Sequence, residues 1–206
     1  VTANSTTTNA NLNVSTLSRG AGLTNTSSFV RSFSAVTTLA DVEDNGKANA
    51  ILNNQYFQFD VQAKDGYSVS LSTIDARLSR NSEGPSSYRW MYSLDGSNFI
   101  EISGSDILDF NDATGEGDVQ TTVCLDTYSD LQNVPSTKTI TLRIYFWGAT
   151  LSSGRISFGR YSDTTPSLKV GGTVSVTSEI EQPLAAWSLS GITDRKSTRL
   201  NSSHAT

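Results

Sequence analysis

Between Tyr56 and Leu78 apolar and polar positions alternate with few exceptions. Phe57, Phe59, Val61 and Ala63 interleave with Gln58, Asp60 and Gln62, and Tyr67, Val69 and Leu71 interleave with Ser68 and Ser70. Period two on both arms predicts half-buried antiparallel strands. The turn sets their register. A two-residue turn at Asp65-Gly66 places Ala63 opposite Ser68, an inward residue against an outward one. A three-residue turn, Lys64-Asp65-Gly66, places Ala63 opposite Tyr67, Val61 opposite Val69 and Phe59 opposite Leu71. The second keeps the apolar residues on one face and is the expected hairpin, with Gly66 left-handed in a bulge. Beyond Leu71 the apolar phase moves to Ile74, Ala76 and Leu78. A one-residue slip of this kind predicts a β-bulge.

The same pattern recurs along the chain. Residues 11–18 carry Leu12, Val14 and Leu17 and read as a strand, followed by a turn at Arg19-Gly20-Ala21-Gly22. Residues 29–33 read as a short strand, and residues 41–54 as a loop. Residues 87–94 and 98–102 form a second hairpin around Asp95-Gly96, in which Phe99 and Ile100 compete for the inner face. Residues 107–118 are acidic and read as a loop, and residues 119–125 as a strand. One short helical turn is expected within residues 128–133. In residues 138–147, Ile140, Leu142, Ile144 and Phe146 take one face and Thr141, Arg143, Tyr145 and Trp147 the other. Residues 155–158 and 167–174 complete the set. Eight to ten short strands with turns between them predict an all-β antiparallel sandwich of jelly-roll type.

Length and composition agree with this picture. The chain has 206 residues, enough to bury one sizeable core. Ser, Thr, Asn and Gly abound and charged residues are few, the makeup of a β-rich extracellular module. No run is long or apolar enough to cross a membrane as a helix. The absence of an initiator Met, signal peptide or sorting tail leads us to expect a mature fragment or an interior cut. A single Cys124 excludes an internal disulfide.

The last stretch changes the charge balance. Residues 194–206 read as a translated sequencing adaptor, which marks a truncated metagenomic fragment. Setting it aside removes the only histidine, His204, together with three basic residues and one acidic one, so the net charge moves from −5 to −7. With no basic stripe left, nucleic acid is not an expected partner.

Several stretches together resemble the jelly-roll modules of bacterial secreted and cell-surface proteins associated with PEP-CTERM or type IX secretion sorting signals. They are Leu17-Ser18-Arg19-Gly20-Ala21-Gly22, Tyr56-Phe57-Gln58-Phe59, Gly66-Tyr67-Ser68-Val69-Ser70-Leu71, Tyr92-Ser93-Leu94-Asp95-Gly96 with Phe99, and Leu168-Lys169-Val170-Gly171-Gly172-Thr173-Val174. Such modules typically open with a strand of the form Leu-Ala-Ala-Trp-x-(Phe/Leu)-x-Gly. Here that pattern stands near the end, as Leu184-Ala185-Ala186-Trp187-Ser188-Leu189-Ser190-Gly191. The resemblance implies a module over residues 1–176 that lacks its first strand, a linker over 177–183, and in 184–193 the opening strand of a following module or the closing strand of this one. A sandwich without its opening strand leaves an unpaired edge, so Ala185, Trp187 and Leu189 are expected to pack as a strand, in their own module or by strand exchange in a neighbour.

The candidate chemistry is sparse. Without His204 there is no Ser-His-Asp or Cys-His constellation and no usual zinc set. The acids sit in loop clusters, as solvated acids do, so no enzyme activity and no cofactor beyond Ca²⁺ are expected. Asp109, Asn111, Asp112, Glu116 and Asp118 offer several oxygens within ten residues and are the candidate calcium ligands, with Asp41, Glu43, Asp44 and Asn45 as a second cluster. Arg143, Tyr145 and Trp147, with Trp90 or Arg89 nearby, are the candidate carbohydrate-binding residues on an open sheet face; the competing reading has that face covered by loops. The expected function is a non-enzymatic extracellular structural or adhesive module, tandemly repeated, whose partners are neighbouring modules or copies of itself. The alternative is a carbohydrate-binding module for a cell-surface or matrix polysaccharide, attached to a larger enzyme or surface protein.

Overall fold

The computed structural model describes residues 2–6, 8–26, 31–37, 46–104, 106–108, 110, 117–159 and 164–177. Their strands are β1 (Ala3–Asn4), β2 (Thr16–Arg19), β3 (Leu23–Asn25), β4 (Phe33–Thr37), β5 (Tyr56–Val61), β6 (Tyr67–Arg80), β7 (Ser87–Ser93), β8 (Ile100–Glu101), β9 (Asp118–Val119), β10 (Val123–Cys124), β11 (Val134–Pro135), β12 (Ile140–Trp147), β13 (Arg155–Phe158) and β14 (Leu168–Val176). Among the described residues a single α-helix, α1 (Lys47–Leu52), precedes β5, and a 3-10 turn, Ser129–Leu131, lies before β11. One sheet has the order β1-β2-β5-β12-β7-β8. The other runs β10-β6-β13-β4-β3, with β9, β11 and β14 also paired to β6. All pairings are antiparallel, and the chain changes sheet at β3, β5, β6, β7, β9, β12 and β13, as a jelly roll does.

The expected hairpin does not form. β5 pairs with β12 on one side and β2 on the other, with Phe59 opposite Leu142 and Phe57 opposite Ile144. β6 lies in the facing sheet, where Val69 sits opposite Val134 and Val174. The turn itself is as expected: Gly66 has φ +81°, and the Tyr67 N–H donates to the Lys64 carbonyl at 3.0 Å. The correction has a simple physical cause. Alternation says which face a residue takes, and an apolar face is buried equally well beside its neighbour or across the core from it. The bulge in the second arm is present. β14 runs past β6 in register except between Gly171 and Gly172, which face Thr73 and Leu71, so Ser72 is left out of the ladder.

Between the sheets lies one apolar core. Phe57 is fully buried, with Phe33, Phe146 and Phe158 ring centroids at 5.0, 5.1 and 5.3 Å. Ile140, Leu142, Ile144 and Phe146, the predicted inner face of β12, are all fully buried. Each such side chain contributes about 1.5–3 kcal/mol relative to exposure. Ile102 resolves the competition in the second hairpin. It is fully buried, its N–H bonded to the Trp90 carbonyl, which places Ile100 on the inner side and Phe99 on the outer.

Smaller differences are local. The strand expected over 119–125 is two short pieces, β9 and β10, interrupted where the Gln120 N–H donates to the Ala76 carbonyl. Of the strand expected over residues 29–33, residues 29 and 30 lie outside the described residues, Arg31 and Ser32 form a turn and not a strand, and β4 begins at Phe33. The expected loop over 41–54 contains α1, whose six residues bury only Ala50 completely and so leave no helical period to read. The 3-10 turn falls inside the stretch where one helical turn was expected.

Candidate functional site

The outer face of the six-stranded sheet is the face on which a sugar was expected to stack. Tyr145 and Trp147 do point outward from β12, but they are 2% and 8% exposed, and α1 packs against this strand. Trp90 points the other way: it is 1% exposed in the core, between the rings of Phe59 and Phe158. Its β12 neighbour is Ile144, an inner residue, which fixes its side. The expected quartet is therefore corrected. Trp90 lies on the opposite face of the sheet from Arg143, Tyr145 and Trp147, and neither Trp90 nor Trp147 offers an open ring.

Arg143 is built into this covered face. Its guanidinium lies 3.9 Å from the centroid of Tyr56 and 3.8 Å from that of Phe99. It donates to Gln58 Oε1 at 2.8 Å and to the Tyr145 hydroxyl at 3.0 Å. Such a cation between two rings holds β5, β12 and the approach to β8 together through cation–π attraction. Beside it, Arg89 lies opposite Tyr145 and pairs with Glu101 at 2.7 Å and Asp106 at 2.5 Å. Lys47, at the start of α1, reaches the same two carboxylates at 3.0 and 3.3 Å. Burial pushes the Asp106 carboxyl up, but hydrogen bonds from Arg89 and Lys47 outweigh it and hold the group below its ordinary value. Two cations and two anions thus pin α1 and the segment after β8 onto the sheet.

Concave surface lies along the seam where β7 and β8 meet β10 and the 3-10 turn. One cleft of about 350 Å³ is lined by Tyr92, Leu94, Asn98, Ile100, Asp130 and Lys138, with Asp95 at its rim. A second of about 210 Å³ includes Tyr88, Ser103, Thr122, Cys124 and Tyr128. Tyr92 and Tyr128, one in each lining, pack edge to face at 5.7 Å. In the larger cleft the Tyr92 hydroxyl donates to Asp130 Oδ2 at 3.4 Å, and burial followed by the Asp130 charge raises the phenol's pKa. Asp95 is occupied by its own turn. Its carboxylate accepts from the Asn98 and Ser97 N–H groups at 2.7 and 2.8 Å, which holds it well below the usual carboxylate range. Asp130 and Lys138 are exposed and keep hydrogen-bonding capacity for a ligand, while Ile100, 48% exposed, supplies an apolar edge. Sequence reasoning missed this cleft, because its residues come from three separate stretches.

The remaining candidates are placed only in part. Of the calcium set, Asp118 lies in β9 opposite Leu78, while Asp109, Asn111, Asp112 and Glu116 lie outside the described residues. Asp41, Glu43, Asp44 and Asn45 also lie outside them, as do Ala185, Trp187 and Leu189. Among the described residues no three His, Cys, Asp or Glu side chains converge as metal ligands. Cys124 is exposed on β10. Arg19, from the Leu17–Gly22 stretch, serves the scaffold: both its Nε and Nη2 donate to the Ser34 carbonyl, at 2.9 and 2.7 Å, and its guanidinium stacks 3.7 Å from the Phe33 centroid.

No protein-family model matches the chain, and no curated protein matches it in sequence. Among solved structures, the chain is similar to CBM32-1 from a family 31 glycoside hydrolase from Clostridium perfringens. The identity is 12% and the TM-score 0.37, over 69% of this chain and 89% of that one.

Proposed function

We propose that the chain is a non-enzymatic structural or adhesive module of an extracellular, multi-module bacterial protein. The observation that carries this reading is the use of its central charges. Arg89, Glu101, Asp106 and Lys47 bind one another, and Arg143 is clamped between two rings. Groups held in this way stiffen a sandwich and leave little freedom for proton transfer or nucleophilic attack. The acidic, Ser/Thr-rich surface suits an extracellular setting. Beads coated with the chain test the reading. They are expected to adhere to each other or to matrix-coated surfaces and to leave chromogenic glycosides and esters intact. Non-adherent beads or steady turnover of such a substrate count against it.

A second reading, carbohydrate binding, is favoured by the larger seam cleft. An ammonium, a carboxylate and a tyrosine beside the aliphatic edge of Leu94 and Ile100 form the mixed lining that sugar hydroxyls and C–H faces need. A glycan array on the parent chain and on Lys138→Ala and Asp130→Ala separates the two readings. Reproducible binding that both substitutions weaken supports the second, and a blank array removes it.

A further inference from the structure

β14 is nine residues long and, among the described residues, pairs with β6 alone. The two ends of that ladder show which of its main-chain groups face away. The Arg77 N–H donates to the Ser167 carbonyl at 2.8 Å, and the Thr177 N–H donates to the Gly66 carbonyl at 2.9 Å. Ser167 and Thr177 therefore face β6, and the register slip between them falls at Ser72, on the β6 side. In an antiparallel ladder main-chain groups alternate sides, so Leu168, Val170, Gly172, Val174 and Val176 turn their N–H and C=O groups away from β6. Little blunts this edge. β14 has no proline and no bulge of its own, and its single charge, Lys169, is held to Asp75 at 3.5 Å. Its apolar side chains are poorly covered as well: Leu168, Val170 and Val174 are partly buried against the core, and Val176 is 70% exposed.

We propose that β14 is a self-association edge, on which β14 of a second copy of this chain adds as an antiparallel strand across a twofold axis at Gly172. The order of residues in β14 selects both the partner and the register. With the axis at Gly172, Leu168 stands opposite Val176 of the second copy and Val170 opposite Val174 of the second copy. Every residue that turns its main chain outward then meets another that does the same, and each such pair exchanges two hydrogen bonds. This register uses the whole strand, whereas an axis moved to either side leaves outward groups at one end with no β14 residue opposite. On the core face apolar side chains meet apolar ones, each covering surface that the other leaves open. On the outer face Lys169 stands opposite Ser175 of the second copy, so no like charges oppose. Gly172, on the axis, brings no side chain against its own copy. The contact is isologous and closes as a dimer, with the β6-containing sheets of the two copies joined edge to edge. This inference deepens the structural or adhesive reading, and rests on it, by giving copies of the chain a surface on which to meet.

Sedimentation equilibrium on the full chain and on Val174→Pro tests the proposal. Proline at 174 removes an N–H that points away from β6, so the ladder within the chain is kept while the ladder between copies loses hydrogen bonds. The parent is expected to double its mass as concentration rises, and Val174→Pro to need a roughly tenfold or higher concentration to do so. A parent that stays monomeric up to about 1 mM overturns the proposal, and so does a variant that dimerises as the parent does. Register is read separately in a Cys124→Ser background, and this arm stands even where the proline variant does not fold. Lys169→Cys and Ser175→Cys chains, mixed under mild oxidation, are expected to form a disulfide-linked dimer that neither forms alone, because the two positions oppose each other only across the axis. Cross-linking of either chain alone to the same extent as the mixture overturns the register and the proposal with it. A monomeric parent whose coated beads still adhere to a matrix sinks the dimer and leaves the adhesive reading in place.

Discussion

Gly172 runs so close to Ser70 that a Cβ built on it would lie 2.3 Å from the Ser70 carbonyl oxygen. Its neighbour Gly171 is equally tight against Thr73, with a Cβ 2.4 Å from Oγ1. The glycine pair is where β14 passes the bulge in β6, so the two features belong together. Gly172→Ala is expected to cost about 2–4 kcal/mol, because backbone must move to relieve the contact. Gly46→Ala, where nothing lies within 4 Å, is expected to change stability by less than about 0.5 kcal/mol. Urea unfolding of the two variants checks the contrast.

Trp90 and Trp147 are scaffold residues on opposite faces of one sheet. Trp90→Ala and Trp147→Ala are each expected to destabilise the fold by about 3–5 kcal/mol through the cavity left behind. Thermal melts followed by circular dichroism measure this. A Trp147→Ala protein with unchanged melting would restore the open-face reading of this surface.

Stability is expected to fall at both ends of the pH scale, for opposite reasons. Asp106 is held below its ordinary value by Arg89 and Lys47 against the cost of burial, and Asp75 by Thr122, then Lys169. A carboxyl with a lowered folded pKa stabilises above its unfolded value and loses that contribution as pH drops through the folded value. Acid therefore weakens the clamp on α1. Tyr88 is the reverse: burial pushes its phenol up to about 12 from about 10. Its contribution is complete below about 10 and disappears as pH rises toward about 12. Unfolding midpoints across pH check both limbs. Arg89→Gln is expected to flatten the acid limb and Tyr88→Phe the alkaline one.

The seam cleft can be altered without harm to the fold. Lys138 and Asp130 are exposed, so Lys138→Ala and Asp130→Ala are expected to shift stability by less than about 0.5 kcal/mol. If either variant loses sugar binding with its melt intact, the loss belongs to the cleft. A large drop in melting temperature would show instead that these side chains hold the seam together.

Periodicity along the chain was enough to establish an antiparallel β-sandwich, the inner face of β12, the left-handed Gly66 and the bulge after Leu71. Each depends on a residue's own backbone or on its alternation with near neighbours, which the sequence states directly. Pairing was not legible. Phe59 and Leu71 share an apolar face whether their strands lie side by side or across the core, so only packing could send β5 to β12 and β6 to the other sheet. The same limit hid the seam cleft, where Tyr92, Asp130 and Lys138 meet through chain closure alone, and it misplaced Trp90. Amphipathic strands declare a side, but which strand comes to rest against that side is decided by long-range contacts that form only when the whole sandwich closes.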